Sequence, residues 1–157
     1  MHFVLVGPGA LGCLLATVLT DGLQHDNQLT LLDHNPERAE LLNRSGITYL
    51  QDNVERIVPV TAASIPGQRN PADVVLFCVK SYDLANCIDY CRPLLTSAPL
   101  VVFLQNGIGH LEIAASCAPA TVAYGTTTEG ATLLGPGKIH HAGRGVTSLG
   151  FLEPQST

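Results

Sequence analysis

The sequence has few charges and no long apolar run, and each absence argues against a class of protein. Charged residues make up 13% of the 157 residues and the net charge is -5, which argues against nucleic acid and anionic membranes as partners. No apolar run reaches the length of a membrane span. No basic stretch precedes the apolar residues near the N-terminus, so a signal peptide is not expected.

The chain also lacks the cysteine spacings of metal and redox motifs. Its five cysteines form no C-x-x-C pair, and their odd number and apolar neighbours predict reduced core thiols in a cytoplasmic protein. Cys87 and Cys91 are four residues apart on a predicted helix, a spacing that two metal ligands can share. Their helix face is apolar and no further ligands lie at suitable spacing, so core packing is expected and no metal site is predicted.

Apolar residues are abundant: they make up 46% of the sequence and predict a globular domain with a substantial core. Continuously apolar runs at Phe3–Val6, Asp73–Val79 and Leu100–Leu104 alternate with amphipathic helical patterns. Such runs are typical of parallel strands that are buried on both faces. The predicted fold class is therefore α/β, a Rossmann-type doubly wound parallel sheet.

Three glycines stand between the first of these strands and the first helix. Gly7, Gly9 and Gly12 form the pattern G-x-G-x-x-G. Gly7 allows a tight turn, Gly9 leaves room for a pyrophosphate, and Gly12 lets the helix lie close to the strand. The N–H groups at the start of the helix would receive the phosphate charge. The pattern predicts dinucleotide binding, with a purely structural glycine-rich turn as the alternative.

A carboxylate follows the second predicted strand, Gln28–Leu32. This residue, Asp33, lies about 20 residues beyond the last glycine of the motif, where an acid usually binds the adenosine ribose hydroxyls and repels the 2′-phosphate of NADP. The alternative is that Asp33 only begins the next turn. His34, Arg38 and Arg44 lie nearby and could attract a 2′-phosphate, but solvated helix charges are the expectation for both arginines.

Polar residues also follow two later predicted strands. Lys80 comes after Asp73–Val79, and Asn106 comes shortly after Leu100–Leu104. Open α/β sheets bind ligands at the carboxyl ends of their parallel strands. The glycine motif, Lys80 and Asn106 are therefore expected to face one crevice.

From Thr121 the chain changes to extended segments rich in threonine and small residues, separated by turns. The pattern predicts an antiparallel β-extension over residues 121–157 of the same domain, after a Rossmann core at residues 1–120. His140 and His141 are adjacent on a predicted strand, so they point to opposite faces and cannot chelate an ion together. A structural role is expected for both histidines, and a solvated strand charge for Glu129.

Taken together, the motifs resemble the N-terminal domain of the ketopantoate reductase (2-dehydropantoate 2-reductase) family, and the resemblance spans nearly the whole chain. It is carried by GPGALG at 7–12, VKSYD at 79–83, QNGIG at 105–109, GTTTEGA at 125–131 and PGKIHHAG at 136–143. The resemblance implies an oxidoreductase that reduces 2-dehydropantoate to pantoate with NADPH, in the pathway to pantothenate and coenzyme A.

The resemblance also implies roles for individual residues. The pyrophosphate would be held by Gly7, Pro8, Gly9, Ala10, Leu11 and Gly12. Lys80 would contact the cofactor, Asn106 would lie between the nicotinamide ribose and the substrate, and Ala131 would lie beside the cofactor. NADP(H) is favoured on this basis. Relatives that use NADPH often have an arginine after the second strand, whereas this chain has His34 preceded by Asp33, so NAD(H) stays open.

The family's general-acid lysine and further substrate-binding residues lie on a C-terminal helical domain, and this chain ends where that domain would begin. No catalytic residue is therefore expected within the chain, which should bind cofactor and turn over poorly or not at all. The expected partner is a small-molecule keto acid, and a homodimer is left open. Two alternatives remain: a different 2-keto or 2-hydroxy acid dehydrogenase of the family that uses NAD(H), and a nucleotide-binding module without catalysis.

Overall fold

The computed structural model describes residues 1–64, 71–96, 100–106, 111–117 and 120–152. The helices in these ranges are α1 (Ala10–Gly22), α2 (Pro36–Ser45), α3 (Leu84–Leu95) and the short α4 (Leu111–Ala114), with 3-10 turns at Ser81–Asp83 and Ala115–Cys117. The strands are β1 (His2–Val6), β2 (Gln28–Asp33), β3 (Ile47–Gln51), β4 (Val54–Val58), β5 (Thr61–Ser64), β6 (Val74–Phe77), β7 (Leu100–Phe103), β8 (Thr121–Thr127), β9 (Gly130–Gly135), β10 (Lys138–Gly143) and β11 (Thr147–Gly150).

The larger of two sheets has seven strands in the order β11-β8-β7-β6-β1-β2-β5. All neighbouring pairs from β8 to β5 are parallel. The strand order reverses between β1 and β6, because β2 and β5 lie on one side of β1 and the later strands on the other. This arrangement confirms the predicted Rossmann-type fold, and its switch point lies at the carboxyl ends of β1 and β6.

Each face of this sheet carries its own apolar layer. Val4 and Val6 of β1 pack with the buried side chains of α3 on one face. Leu5, which alternates with them, packs on the other face with buried side chains of α1 and α2. The central strand is thus covered on both sides, which explains why its sequence is continuously apolar instead of alternating with polar residues.

The second sheet has four strands in the order β4-β3-β10-β9. Its β3–β4 hairpin turns at Asp52 and Asn53, whose φ angles are 50° and 64°, as the tight turns of two-residue hairpins require. Ile139 of β10 is fully buried in the same cluster as Leu14 of α1 and Leu42 of α2. The second sheet therefore packs against the α1–α2 face of the domain.

The strands after residue 120 form two antiparallel pairs, β8 with β11 and β9 with β10. These strands are shared between the two sheets, since β8 also pairs in parallel with β7, and β10 pairs in parallel with β3. The sequence does not predict these parallel pairings, because their partners lie far away along the chain. The domain boundary at residue 120 stays a prediction.

Some predicted features fall outside the described ranges. They are the end of the QNGIG motif at residues 107–109 and the end of the predicted β-extension at residues 153–157. None of the helices in the described part of the chain has the length and apolar character needed to cross a lipid bilayer.

The packing of the second sheet can be tested at Ile139. Replacing Ile139 by Ala removes a fully buried side chain between that sheet and the helices, and should lower the free energy of unfolding by about 2–5 kcal/mol. The measurement is urea denaturation followed by circular dichroism. The control is Val54→Ala, at a position 66% exposed on the edge strand β4. This variant should change the free energy of unfolding by about 0.5 kcal/mol or less. Equal midpoints for the two variants would contradict the described packing.

Candidate functional site

The turn between β1 and α1 is built on close backbone approaches. Gly7 has a φ of 95°, and a Cβ atom added there would lie 2.5 Å from Cγ1 of Val79. A Cβ atom on Gly12 would lie 2.0 Å from the carbonyl oxygen of Gly7. Glycine is therefore required at both positions for α1 to begin against the ends of β1 and β6.

Gly9, unlike Gly7 and Gly12, is not constrained by a close contact within the described part of the protein. A Cβ atom there would meet no other atom within 4 Å, and Gly9 lines a cleft. Gly9 is also the N-cap of α1, and no side chain in the described ranges caps the first turn of that helix. Open space beside uncapped N–H donors suits an anionic group such as a pyrophosphate.

The cleft has a volume of about 610 Å³, a size typical of small-molecule sites. It lies where the chain leaves β1, β2 and β6, next to the switch point of the large sheet. The residues that line it are Val6–Gly9, Leu32–His34, Arg38, Cys78–Lys80, Tyr82, Asp83, Asn86, Cys87, Tyr90 and Leu133–Pro136.

The cleft brings together six of the predicted cofactor-binding residues, namely Gly7, Pro8, Gly9, Asp33, His34 and Lys80. Ala10, Leu11 and Gly12 form the first turn of α1. Asn106 and Ala131 are not among the described residues that line the cleft. Asn106 is exposed beyond the end of β7, and Ala131 packs against the core cluster that includes α1. Their roles toward a cofactor stay predictions.

Sequence reasoning missed the role of Gln105, which precedes Asn106. Its side chain is buried, and its Nε2 donates to the carbonyl oxygens of Phe77 and Val79, at 2.9 Å and 3.0 Å. These bonds tie the end of β7 to the end of β6, next to Lys80. Its Oε1 is buried and accepts no hydrogen bond from the described residues. The only signal in the sequence is the position of Gln105 directly after a buried strand.

The buried side chain of Asp33 forms an ion pair with the partly exposed Arg38, and both residues line the cleft. Nε of Arg38 donates to Oδ2 of Asp33, and Nη2 donates to Oδ1 at 2.6 Å. The backbone N–H of Asn35 also donates to Oδ1, at 3.0 Å. The hydrogen bond to Asp33 raises the pKa of Arg38 above its ordinary value. The expectation of a solvated helix charge is therefore wrong for Arg38, whereas Arg44 is exposed on the last turn of α2.

Glu129 and His141 form a second pair, which corrects the expectation that Glu129 is a solvated strand charge. The buried His141 donates through Nε2 to Oε2 of Glu129 at 2.7 Å, and its Nδ1 lies 2.6 Å from the Tyr49 hydroxyl. The side chain of Glu129 is only 19% exposed. Burial raises the pKa of Tyr49, so its hydroxyl stays protonated. The network lies within the second sheet and its adjoining turn, and a structural role for His141 stays a prediction.

The cysteines are free thiols. Burial raises the pKa of Cys13 and of Cys91 to about 12, so both stay protonated at neutral pH. Cys91 of α3 lies in the core, and Cys87 of the same helix packs partly against the same cluster, as predicted. In the described part of the chain, no three His, Cys, Asp or Glu side chains are placed to hold a metal ion.

The Glu129–His141 pair makes a testable contribution to stability. Glu129→Ala leaves the buried Nε2 of His141 without its acceptor and should lower the free energy of unfolding by about 1–3 kcal/mol. Chemical denaturation at pH 7 measures the change. The control is Glu55→Ala, which removes an exposed ion pair with Lys138 and should cost about 1 kcal/mol or less. If the Glu129 variant were no less stable than the control, the Glu129–His141 pair would not contribute to the stability of the fold.

Comparison with known sequences identifies relatives of this chain. A family model described as ketopantoate reductase PanE/ApbA matches residues 3–154. A 2-dehydropantoate 2-reductase from Halobacterium salinarum is 38% identical over 152 residues, which are 96% of this chain and 49% of that protein. One from Listeria innocua is 34% identical over 110 residues, 69% of this chain and 35% of that protein. The chain thus spans about half the length, or less, of these curated relatives.

Solved structures agree with the family match. A 2-dehydropantoate 2-reductase from Geobacter metallireducens superimposes with a TM-score of 0.81 at 26% identity, covering 100% of this chain and 51% of that one. A D-mandelate dehydrogenase with NADH and anilino(oxo)acetate has a TM-score of 0.82 at 23% identity, covering 95% and 48%, and shows the shared fold alone. Because the family model matches almost every residue, the chain belongs to the ketopantoate reductase family.

Proposed function

We propose that this chain is the NADP(H)-binding part of an oxidoreductase that reduces 2-dehydropantoate to pantoate. The observation that carries the proposal is Gly9, a glycine that the fold does not need. It stands at the uncapped start of α1 and faces a cleft in which a Cβ atom would meet nothing. The family match supports the substrate and the cofactor, and the pathway to pantothenate follows from them.

The cleft residues fit an adenine dinucleotide. The first-turn N–H groups of α1, which follow Gly9, would hold the pyrophosphate. Lys80 is exposed at the cleft and forms no ion pair with a described carboxylate, so its ammonium group can contact a cofactor phosphate or ribose. When bound, the cofactor supplies the hydride that reduces a keto acid.

Asn106 is proposed to orient the substrate beside the nicotinamide ribose. The chain next to Asn106 is held in position, because the side chain of its neighbour Gln105 makes two hydrogen bonds to the end of β6. The exposed amide of Asn106 offers both a donor and an acceptor at the carboxyl edge of the sheet.

The proton that the reduced substrate needs is proposed to come from outside these residues. Reduction of a ketone forms an alkoxide, which requires an acid within hydrogen-bond reach. The chain has two lysines: Lys80, given a cofactor role here, and Lys138, which is paired with Glu55 at 3.0 Å. His141 is buried and bonded on both nitrogens. We therefore assign the general acid to the half of the relatives that this chain does not span.

We also propose that the protein is located in a reducing compartment. All five cysteines are free, which agrees with a cytoplasmic location. The small keto acid is the proposed partner, and a homodimer stays a hypothesis.

Dinucleotide binding can be tested at Gly9. Gly9→Val places a branched side chain where the pyrophosphate would lie and should weaken NADP⁺ binding at least 100-fold, about 2.7 kcal/mol, without lowering the melting temperature. Gly22→Val, at the other end of α1 and also free of neighbours within 4 Å, should bind like the unmodified chain. Isothermal titration calorimetry gives both affinities. Equal affinities for the two variants would remove Gly9 from the binding site.

Turnover is the second test. Residues 1–157 should bind NADPH but show no oxidation of it that depends on 2-dehydropantoate, because general acid catalysis commonly supplies about 10²–10⁴-fold. The assay follows NADPH absorbance, with a full-length curated relative as the positive control. Addition of the other half of that relative, fused or separate, should restore turnover. Rapid oxidation by the chain alone that is lost in His141→Ala would instead make His141 the acid.

A further inference from the structure

We infer that Arg38 is the residue that recognises the 2′-phosphate of the cofactor, and that Asp33 is the positioning residue that holds Arg38 in place. The inference rests on the proposed dinucleotide function of the cleft and deepens it. An acid at the end of the second strand usually binds the ribose diol and rejects the phosphorylated ribose. In this chain Asp33 is paired with Arg38, so we expect the site to accept the phosphorylated ribose instead of rejecting it.

The carboxylate of Asp33 is not available to a ribose. Its side chain has no exposed surface, and three donors already bind its two oxygens: Nε and Nη2 of Arg38 and the N–H of Asn35. A hydroxyl group of a ligand could reach these oxygens only if the residues that cover them moved, and Arg38 binds both oxygens. Release of Arg38 would break two charge-assisted hydrogen bonds and leave a buried carboxylate without its counter-ion.

Arg38, in contrast, is accessible from the cleft. Its side chain is 35% exposed and lines the cleft together with the 72% exposed side chain of His34. A guanidinium group has five N–H donors, and the two bonds to Asp33 leave Nη1 and one hydrogen of Nη2 for a ligand. These remaining donors have the planar, paired geometry that suits a phosphate.

The balance of charge in the cleft also favours a phosphate near Arg38. Among the described residues that line the cleft, the arginine and lysine are Arg38 and Lys80, and the carboxylates are Asp33 and Asp83. The side chain of Asp33 has no exposed surface and is paired with Arg38, so Asp83 is the described lining carboxylate that would oppose an anion. Asn35 adds rigidity, because its side chain accepts from the backbone N–H of Arg38 at 3.1 Å and so fixes the first turn of α2.

The test compares NADP⁺ and NAD⁺, which differ only in the 2′-phosphate, by isothermal titration calorimetry on the full chain. The unmodified chain should bind NADP⁺ at least tenfold more tightly than NAD⁺. Arg38→Gln should weaken NADP⁺ at least tenfold and change NAD⁺ less than threefold, and Arg38→Lys should retain part of the preference because it keeps the charge. Arg44→Gln, on the same helix and outside the cleft lining, is the control and should change neither affinity.

Two further variants separate recognition from folding. Arg38→Gln combined with Asp33→Asn removes the buried unpaired charge, so this double variant should fold and still lack the NADP⁺ preference. Asp33→Asn alone should lower the NADP⁺ preference and leave NAD⁺ affinity within twofold, because Asp33 makes no contact with the diol. A tenfold loss of NAD⁺ affinity in this variant, with tighter NADP⁺ binding, would give Asp33 the ordinary diol-binding role and overturn the inference.

The outcomes distinguish this inference from the proposed function. A folded, unmodified chain that binds neither nucleotide would overturn the dinucleotide function itself. A chain that binds both nucleotides equally, or NAD⁺ more tightly, would keep that function and overturn the role of Arg38. Unchanged NADP⁺ affinity in Arg38→Gln would do the same.

Discussion

The backbone contact between the end of β1 and the start of α1 is the constraint on which the cleft depends. Only glycine fits at Gly12, because any side chain there would meet the Gly7 carbonyl oxygen, and a side chain on Gly7 would meet Val79. These contacts hold α1 against the sheet at the switch point. The segments that leave β2 and β6 can then approach the same glycine turn, with Asp33 on one side and Lys80 on the other. Larger residues at these two glycines would separate those walls.

Asp33 and His141, two buried ionisable side chains in the described part of the chain, each have hydrogen-bond partners. Asp33 is covered by Arg38, and His141 lies between Glu129 and Tyr49. Both arrangements satisfy groups that would be costly to bury alone. They differ in position: the first lies at the cleft and leaves guanidinium donors unpaired there, whereas the second lies within the small sheet and its adjoining turn.

Local features of the fold could be predicted from the sequence, and long-range partnerships could not. The apolar run before Gly7 and the spacing of the glycines predict β1, the turn and α1, since these depend on residues close together in the chain. The same pattern places Lys80 after a buried strand. Nothing local indicates that Arg38 turns back to Asp33, or that Glu129 meets His141, because the choice of an ionic partner is made by tertiary packing. A charged residue looks solvated until its neighbour is known.

The parallel pairing of β10 with β3 has a consequence for how the domain assembles. It joins Tyr49 to Ile139, so two segments about 90 residues apart must meet before the small sheet closes. The β9–β10 hairpin also carries Leu133–Pro136, which form one wall of the cleft. During synthesis the glycine turn leaves the ribosome long before that wall does. Closure of the cleft thus depends on pairing between distant segments, which is slow to form, and a shortened chain that ends before β9 would have the glycine turn without Leu133–Pro136 around it.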